Sequence, residues 1–306
     1  MGSYTRIENA LRDGLLSFPV TDMDESGQFN AKTFTDRLES FVSYGVSSVF
    51  VAGGTGEFFS LSREEYKQIV EITAKTINGR IPTVSSVGRS IPEAIEFAKM
   101  AEVAGIDALL LMPPYLTECA KSGVMEYAKA IMQNTKLPVI YYNRANGILS
   151  AEQIQKLADA CPNFIALKDG TGNMEEINTT IKTIGDRLVY IGGVPTAEII
   201  SEAYLSIGVN TYSSAVFNFV PKLAVHFYKS LRAGEKEKVN LIIKEFFVPF
   251  IQLRSKRQGY SVSLIKAGAK LIGKSAGNVR FPLEMPSEDE LAELQRIINK
   301  AEELLN

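Results

Sequence analysis

The sequence predicts an α/β chain closed into a (β/α)8 (TIM) barrel with a helical C-terminal extension, and three observations predict it. Eight short apolar, β-branched runs recur at a fairly even interval, helical patterns fill the gaps between them, and the strand signal stops after residue 220. Most of the runs are continuously apolar rather than alternating, as strands covered on both faces are.

The runs are "GLLSFPV" (14–20), "SSVFVAGG" (47–54), "IPTVSSVG" (81–88), "DALLLMPP" (107–114), "LPVIYYN" (137–143), "FIALKDG" (164–170), "LVYIGGV" (188–194) and "VNTYSSA" (209–215). Between the second and third, "SREEYKQIVEITAKTI" sets Tyr66, Ile69, Ile72 and Thr73 on one stripe with charges opposite. Next comes a helix with Ser90 as N-cap, Pro92 and Glu93 in its first turn and Gly105 as its stop. Ser150 and Gln153 have the spacing of a capping box. The rival architecture is an open doubly wound sheet, but no GxGxxG follows the first run. Beyond residue 220, "PKLAVHFYKSLRAG", "EKEKVNLIIKEFFVPFIQLRSK", "SVSLIKAGAKLIG" and a capped terminal helix all read as helical. The expected division is a barrel over 1–225 and a helical region packed on it over 226–306.

Bulk composition narrows the function. With 306 residues, 45% hydrophobic and 22% charged, the chain can bury a large core without staples. A net charge of -2 and a pI near 5.7, with no basic stripe, argue against nucleic acid as partner. No apolar run reaches the ~18 residues of a membrane span, and the start lacks the apolar core of a secretory signal, so a cytoplasmic location is expected. Cys119 and Cys161 have no metal or redox spacing. The single histidine, His226, reads as a helix-packing residue, which makes a histidine metal site or a Ser-His triad very hard to build. No metal and no cofactor are expected.

In a barrel the chemistry sits at the carboxyl ends of the strands. There the sixth run delivers Lys168. Strand parity puts residues 164, 166 and 168 on one face, with small Ala166 beneath the lysine. Burial would favour a neutral amine, which attacks a ketone to give an imine. The alternative is a lysine that turns outward and pairs with Asp169. Tyr142, on the neighbouring strand, reads either as a phenol that shuttles protons beside the amine or as a core tyrosine. Tyr141 reads as the helix-side residue. "GGTGE" (53–57) offers exposed N–H groups and a hydroxyl suited to a carboxylate, or else a tight turn whose glycines supply φ > 0. Glu57 braces or caps that turn.

Together, "GGTGE", "YYN" and "LKDGTG" at these strand ends resemble the dihydrodipicolinate synthase and N-acetylneuraminate lyase superfamily, in order and over nearly the whole chain. The resemblance implies a class I lyase in which Lys168 forms the imine, Tyr142 stands beside it, and Thr55 with Gly54 and its turn holds an α-keto carboxylate. It also implies that Gly192 and Gly193 form the wall at the seventh strand, and that the chain assembles as a homotetramer. The departures bear on substrate. Gly54 replaces the first of two adjacent threonines of the synthases, and the serine of the neuraminate lyases. Leu116 stands where the synthases carry a tyrosine reaching a neighbouring subunit, and Gly147 where they carry an arginine. A role in lysine biosynthesis is therefore not expected.

Strings such as "AGGTGEFFSLS", "YNRANG" and "YSSAVFNFVP" resemble one branch of the superfamily, decarboxylating dehydratases of keto-sugar diacids. Arg144 and Ser213 are the expected contacts to the far carboxylate and hydroxyls. The bland readings are a surface ion pair for Arg144 and barrel-top packing for Ser213. A retro-aldolase on a related keto acid and a non-catalytic sensor barrel are the rival functions.

Overall fold

The computed structural model describes residues 4–116 and 118–305. Among these, eight parallel strands pair in chain order and close on themselves: β1 Leu16–Ser17, β2 Ser48–Val51, β3 Thr83–Val87, β4 Ala108–Leu111, β5 Val139–Asn143, β6 Phe164–Asp169, β7 Val189–Gly192 and β8 Thr211–Ser214. Closure sets Leu16 opposite Ser213 and Ser17 opposite Ser214. Each strand lies inside the apolar run that marks it, and the leftover residues of each run form the rims.

Two cores result from the two faces of the strands. Leu16, Phe50, Leu110, Ile140, Ala166 and Ile191 fill the barrel interior. Leu109, Leu111, Tyr141, Leu167, Tyr190 and Tyr212 face the helices. A helix the sequence reading assigned to nothing, Thr5–Arg12, plugs the amino end of the barrel with Ile7 and Leu11. Arg6 fixes it there by donating to the Gly79 carbonyl (2.7 Å) and pairing with Asp107 (3.3 Å), both just upstream of strands.

Parity along β6 fails at one residue. Val139 faces Phe164 but Ile140 faces Ala166, so Ile165 is an extra residue, a bulge. Phe164 therefore turns to the helix-side core, with its ring centroid 6.2 Å from that of Tyr141, while Ala166 and Lys168 keep the inward face. The bulge re-aims only the start of the strand.

The helical caps fall where the residue types require. Ser62–Glu65, Ser90–Glu93 and Ser150–Gln153 each form a full capping box, and Gly105 ends its helix at φ 90°. On Arg63–Ile77 the buried stripe runs through Tyr66, Ile69, Val70, Thr73 and Ile77, and Ile72 lies at its margin. The C-terminal segment is helical from Lys236 to Arg254 as read, with a π-helical turn at Ile243–Phe247 between Lys236–Ile242 and Val248–Arg254. Pro249 lies just beyond that turn. It has no N–H and crowds the carbonyl four residues back, so the chain widens ahead of it. The turn carries Phe246, which stacks on Phe250 (6.1 Å, 3°), and Phe250 in turn packs against Phe219 (5.8 Å). This aromatic block, worth about 1.5–3 kcal/mol per fully buried ring, holds the face of Val248–Arg254 against the carboxyl end of the barrel.

Candidate active site

Lys168 ends on the inner face of β6 and is 3% exposed. Its Nζ lies 3.9 Å from the centroid of the Tyr142 ring and 5.2 Å from that of Phe18, and donates to the Gly193 carbonyl at 3.1 Å. The outward reading, with Asp169 as its partner, is overturned. Asp169 points the other way, where it accepts from the Tyr204 hydroxyl (2.7 Å), the Thr171 amide (3.0 Å) and hydroxyl (2.7 Å), and the Gly172 amide (3.2 Å). It braces the turn after the strand. Burial pushes the Lys168 amine below the ordinary lysine pKa, the Tyr142 phenol works against this, and the Arg144 charge adds to it.

Tyr142 sits directly opposite Lys168 in the β5–β6 ladder. Its hydroxyl donates to the same Gly193 carbonyl (2.8 Å) and accepts from Arg144 Nη1 (2.8 Å). Burial works to raise its pKa, but the Lys168 and Arg144 charges outweigh burial and hold it below the usual phenol value. Tyr142 packs in the barrel interior, and Tyr141 fills the helix-side core, its hydroxyl donating to Gly147 O (2.5 Å). Arg144 makes no ion pair among the described residues, which overturns its surface-pair reading; it is half-buried over the phenol.

Two glycines are required by close approach. A Cβ at Gly193 would stand 2.6 Å from Lys168 Cγ and 2.8 Å from Asp169 O. One at Gly170 would stand 2.6 Å from Arg144 Cβ and 2.8 Å from Tyr142 Cε2. The "GGTGE" turn works differently from the φ > 0 reading. None of Gly53, Gly54 and Gly56 has positive φ; the left-handed residues are Ala52 (50°) and Glu57 (58°). Gly53 is small because a Cβ would meet the Phe18 ring at 2.6 Å, and a Cβ at Gly56 would sit tightly against Thr21 Oγ1 at 3.1 Å and Ala52 at 3.3 Å. Gly54 has nothing within 4 Å and opens onto the cavity. Among the described residues no acceptor takes the amides of Gly54 and Thr55, so the turn presents bare N–H groups beside the Thr55 hydroxyl. Glu57 braces the turn from behind, paired at 2.6 Å with buried Lys266 and accepting from the Arg280 amide at 2.8 Å.

These groups share one cavity of about 360 Å³ at the carboxyl end of the barrel. Lys168, Tyr142, Gly54, Thr55, Arg144, Gly193 and Ser213 all line it. So do residues to which the sequence assigned no site role: Thr196 in the loop after β7, and Phe250, Arg254, Ser261, Val262 and Ile265 from the C-terminal helices. Nothing local in those helices marks them, since it is tertiary packing that brings them over the mouth; a helix-terminal arginine after an aromatic block is the one available hint. Among the described residues no group of three or more His, Cys, Asp or Glu could hold a metal ion, and no helix is long and apolar enough to cross a membrane.

A buried amine at a barrel mouth, with a phenol against it and a glycine-rich turn with open amides at the same cavity, is the arrangement of an imine-forming class I lyase. The chain belongs to the dihydrodipicolinate synthetase family, whose profile matches residues 12–301. It is 42% identical over 294 residues to a 5-dehydro-4-deoxyglucarate dehydratase of Pseudomonas putida, covering 96% of this chain and 97% of the other. It is 45% identical over 292 residues to a "Probable 5-dehydro-4-deoxyglucarate dehydratase" of Acinetobacter baumannii, covering 95% and 96%. Its fold matches the dihydrodipicolinate synthase of Oceanobacillus iheyensis with a TM-score of 0.89 at 24% identity, over 98% of this chain and 100% of that one. At that identity the likeness speaks for the fold alone.

Proposed function

We propose that the protein removes water and carbon dioxide from 5-dehydro-4-deoxyglucarate, releasing 2,5-dioxopentanoate, through an imine on Lys168. The observation that carries this is the buried Lys168 amine, which pairs with no carboxylate among the described residues and is held against Tyr142 in a cavity whose described lining contains two arginines and no Asp or Glu. Relatives named as 5-dehydro-4-deoxyglucarate dehydratases match over nearly the whole chain.

The substrate ketone lies next to one carboxylate. The bare amides of Gly54 and Thr55, with the Thr55 hydroxyl, hold that carboxylate and so set the ketone over Lys168 Nζ. The neutral amine attacks, and the Tyr142 phenol, acidified by Arg144, gives the departing oxygen a proton as water leaves the carbinolamine. The iminium draws electrons from the neighbouring carbon, which loses a proton to form an enamine. The enamine expels the hydroxyl one carbon further on as water, leaving a conjugated iminium. The far carboxylate then leaves as carbon dioxide, its bonding electrons flowing through the conjugated system to the iminium nitrogen. Tautomerisation turns the remaining enol into an aldehyde, and water hydrolyses the imine. The carbon, hydrogen and oxygen lost equal one H2O and one CO2. Gly54 leaves space where a side chain would crowd the substrate.

We assign the enzyme to the cytoplasm as a homotetramer. The test of function is direct. Borohydride added with substrate should fix mass on Lys168, and an aldehyde dehydrogenase coupled to the reaction should report 2,5-dioxopentanoate. Lys168→Ala should lose both signals; full turnover in that variant sinks the reading. Pyruvate in place of carbon dioxide and aldehyde would mark a retro-aldolase.

A further inference from the structure

The two guanidinium groups of the cavity have different attachments. Arg144 gives a hydrogen bond to the Tyr142 hydroxyl, and its charge acts on both Tyr142 and Lys168. It serves the imine end. Arg254 enters from the last turn of Val248–Arg254, four residues after Phe250, so both point from one helix face into the mouth. The stacked Phe246–Phe250–Phe219 block fixes that face.

Arg254 donates to the Thr196 hydroxyl, and Thr196 holds a left-handed backbone (φ 57°) that a β-branched residue rarely adopts. The strained loop after β7 thus orients the guanidinium. No carboxylate pairs with Arg254 among the described residues. The acid whose charge reaches it, Glu198, is fully buried, accepts from the Ser214 hydroxyl at 2.6 Å and has its pKa pushed up to about 7 by burial. Arg254 also feels Arg144 as a like charge. Among the described residues the cavity thus holds two guanidinium groups that no carboxylate contacts, with Arg254 at the loop after β7 and the Thr55 turn after β2, strands that are not neighbours in the barrel.

We propose that Arg254 binds the far carboxylate of the substrate and selects keto diacids over keto monoacids, with Arg144 committed to Tyr142. This rests on the preceding reading, in which a keto diacid occupies the cavity. The argument is one of charge: the Gly54 and Thr55 amides take the near carboxylate, Arg144 is tied to the reacting phenol, and Arg254, tied only to the Thr196 hydroxyl, is the other fork-shaped donor, suited to a planar carboxylate.

Two keto acids of one length separate the outcomes: 2-oxoadipate, a diacid without a leaving hydroxyl, and 2-oxohexanoate, which lacks the far carboxylate. Preference is read by borohydride trapping in the parent chain and by calorimetric binding in Lys168→Ala, where no imine forms. The expected preference for 2-oxoadipate is about 100-fold, the size of a charge-assisted carboxylate contact. Arg254→Gln should bring it close to one through loss of 2-oxoadipate binding, Arg254→Lys should restore part of it, and Arg144→Gln should retain it. A parent without the preference, or an Arg254→Gln that keeps it, overturns the proposal. A calorimetric preference lost in Arg254→Gln, with no trapping in the parent, upholds Arg254 and strikes the lysine-imine reading instead.

Discussion

Gly193 is a position where one added methyl group should displace the reactive amine directly. Its φ is not left-handed, so alanine is allowed by the backbone. The cost lies in space. An alanine Cβ would stand 2.6 Å from Lys168 Cγ and 2.8 Å from Asp169 O, and it would crowd Lys168 Nζ as well. Unstrained carbon contacts lie at about 3.5–4.0 Å, so the lysine must retreat by about 1 Å. That breaks the Nζ donation to the Gly193 carbonyl and moves the amine off the Tyr142 ring. A misplacement of about 1 Å costs about 100-fold in rate, equivalent to about 2.7 kcal/mol of barrier. Overpacking of the same site should cost about 1–3 kcal/mol of stability. The assay is steady-state release of 2,5-dioxopentanoate by Gly193→Ala, with circular dichroism and thermal melting to establish that it is folded. A folded variant whose kcat stays within about threefold of the parent would refute the claim that this contact positions the amine.

Three other predictions follow from the same geometry. Gly54→Ala meets open space, so its stability in urea titrations should hold or rise by about 0.4–1 kcal/mol through lower unfolded-chain entropy, while KM rises because the cavity narrows; Gly53→Ala meets the Phe18 ring at 2.6 Å and should lose about 1–3 kcal/mol. Arg144→Gln removes a charge that lowers the pKa of both Lys168 and Tyr142, so the acid limb of kcat/KM should move to higher pH; an unmoved limb argues against the coupling. Glu198 has its pKa raised from 4.5 to about 7, so the native state holds that proton more tightly than the unfolded chain. Its contribution to stability is therefore full below 4.5 and falls as pH climbs to 7. Urea titrations should show the parent losing about 3 kcal/mol relative to Glu198→Gln across that window, and parallel curves would contradict it.

The local chemistry of the chain was enough to determine the barrel. Apolar runs too continuous for a half-exposed sheet, serine caps with Glu or Gln three residues on, and glycine stops are all short-range signals. They mark all eight strands and most of the helices. The placement of Lys168 and Tyr142 on one inner face was also legible, because side-chain parity and strand adjacency follow from the order of the elements. What the tertiary structure decided lies beyond the reach of periodicity. The Ile165 bulge turns Phe164 outward, a ladder irregularity that no single-strand pattern contains. The glycines of "GGTGE" are small to fit Phe18 and Ala52 and to leave the cavity open, so the positive φ values fall on Ala52 and Glu57 instead. The Thr5–Arg12 plug and Arg254 act through contacts with residues remote in sequence, Arg6 with Asp107 and Arg254 with Thr196. Hydrophobic pattern and capping are properties of neighbours along the chain, and they specify which layers form; which guanidinium reaches the mouth, and what it faces there, depends on how those layers pack.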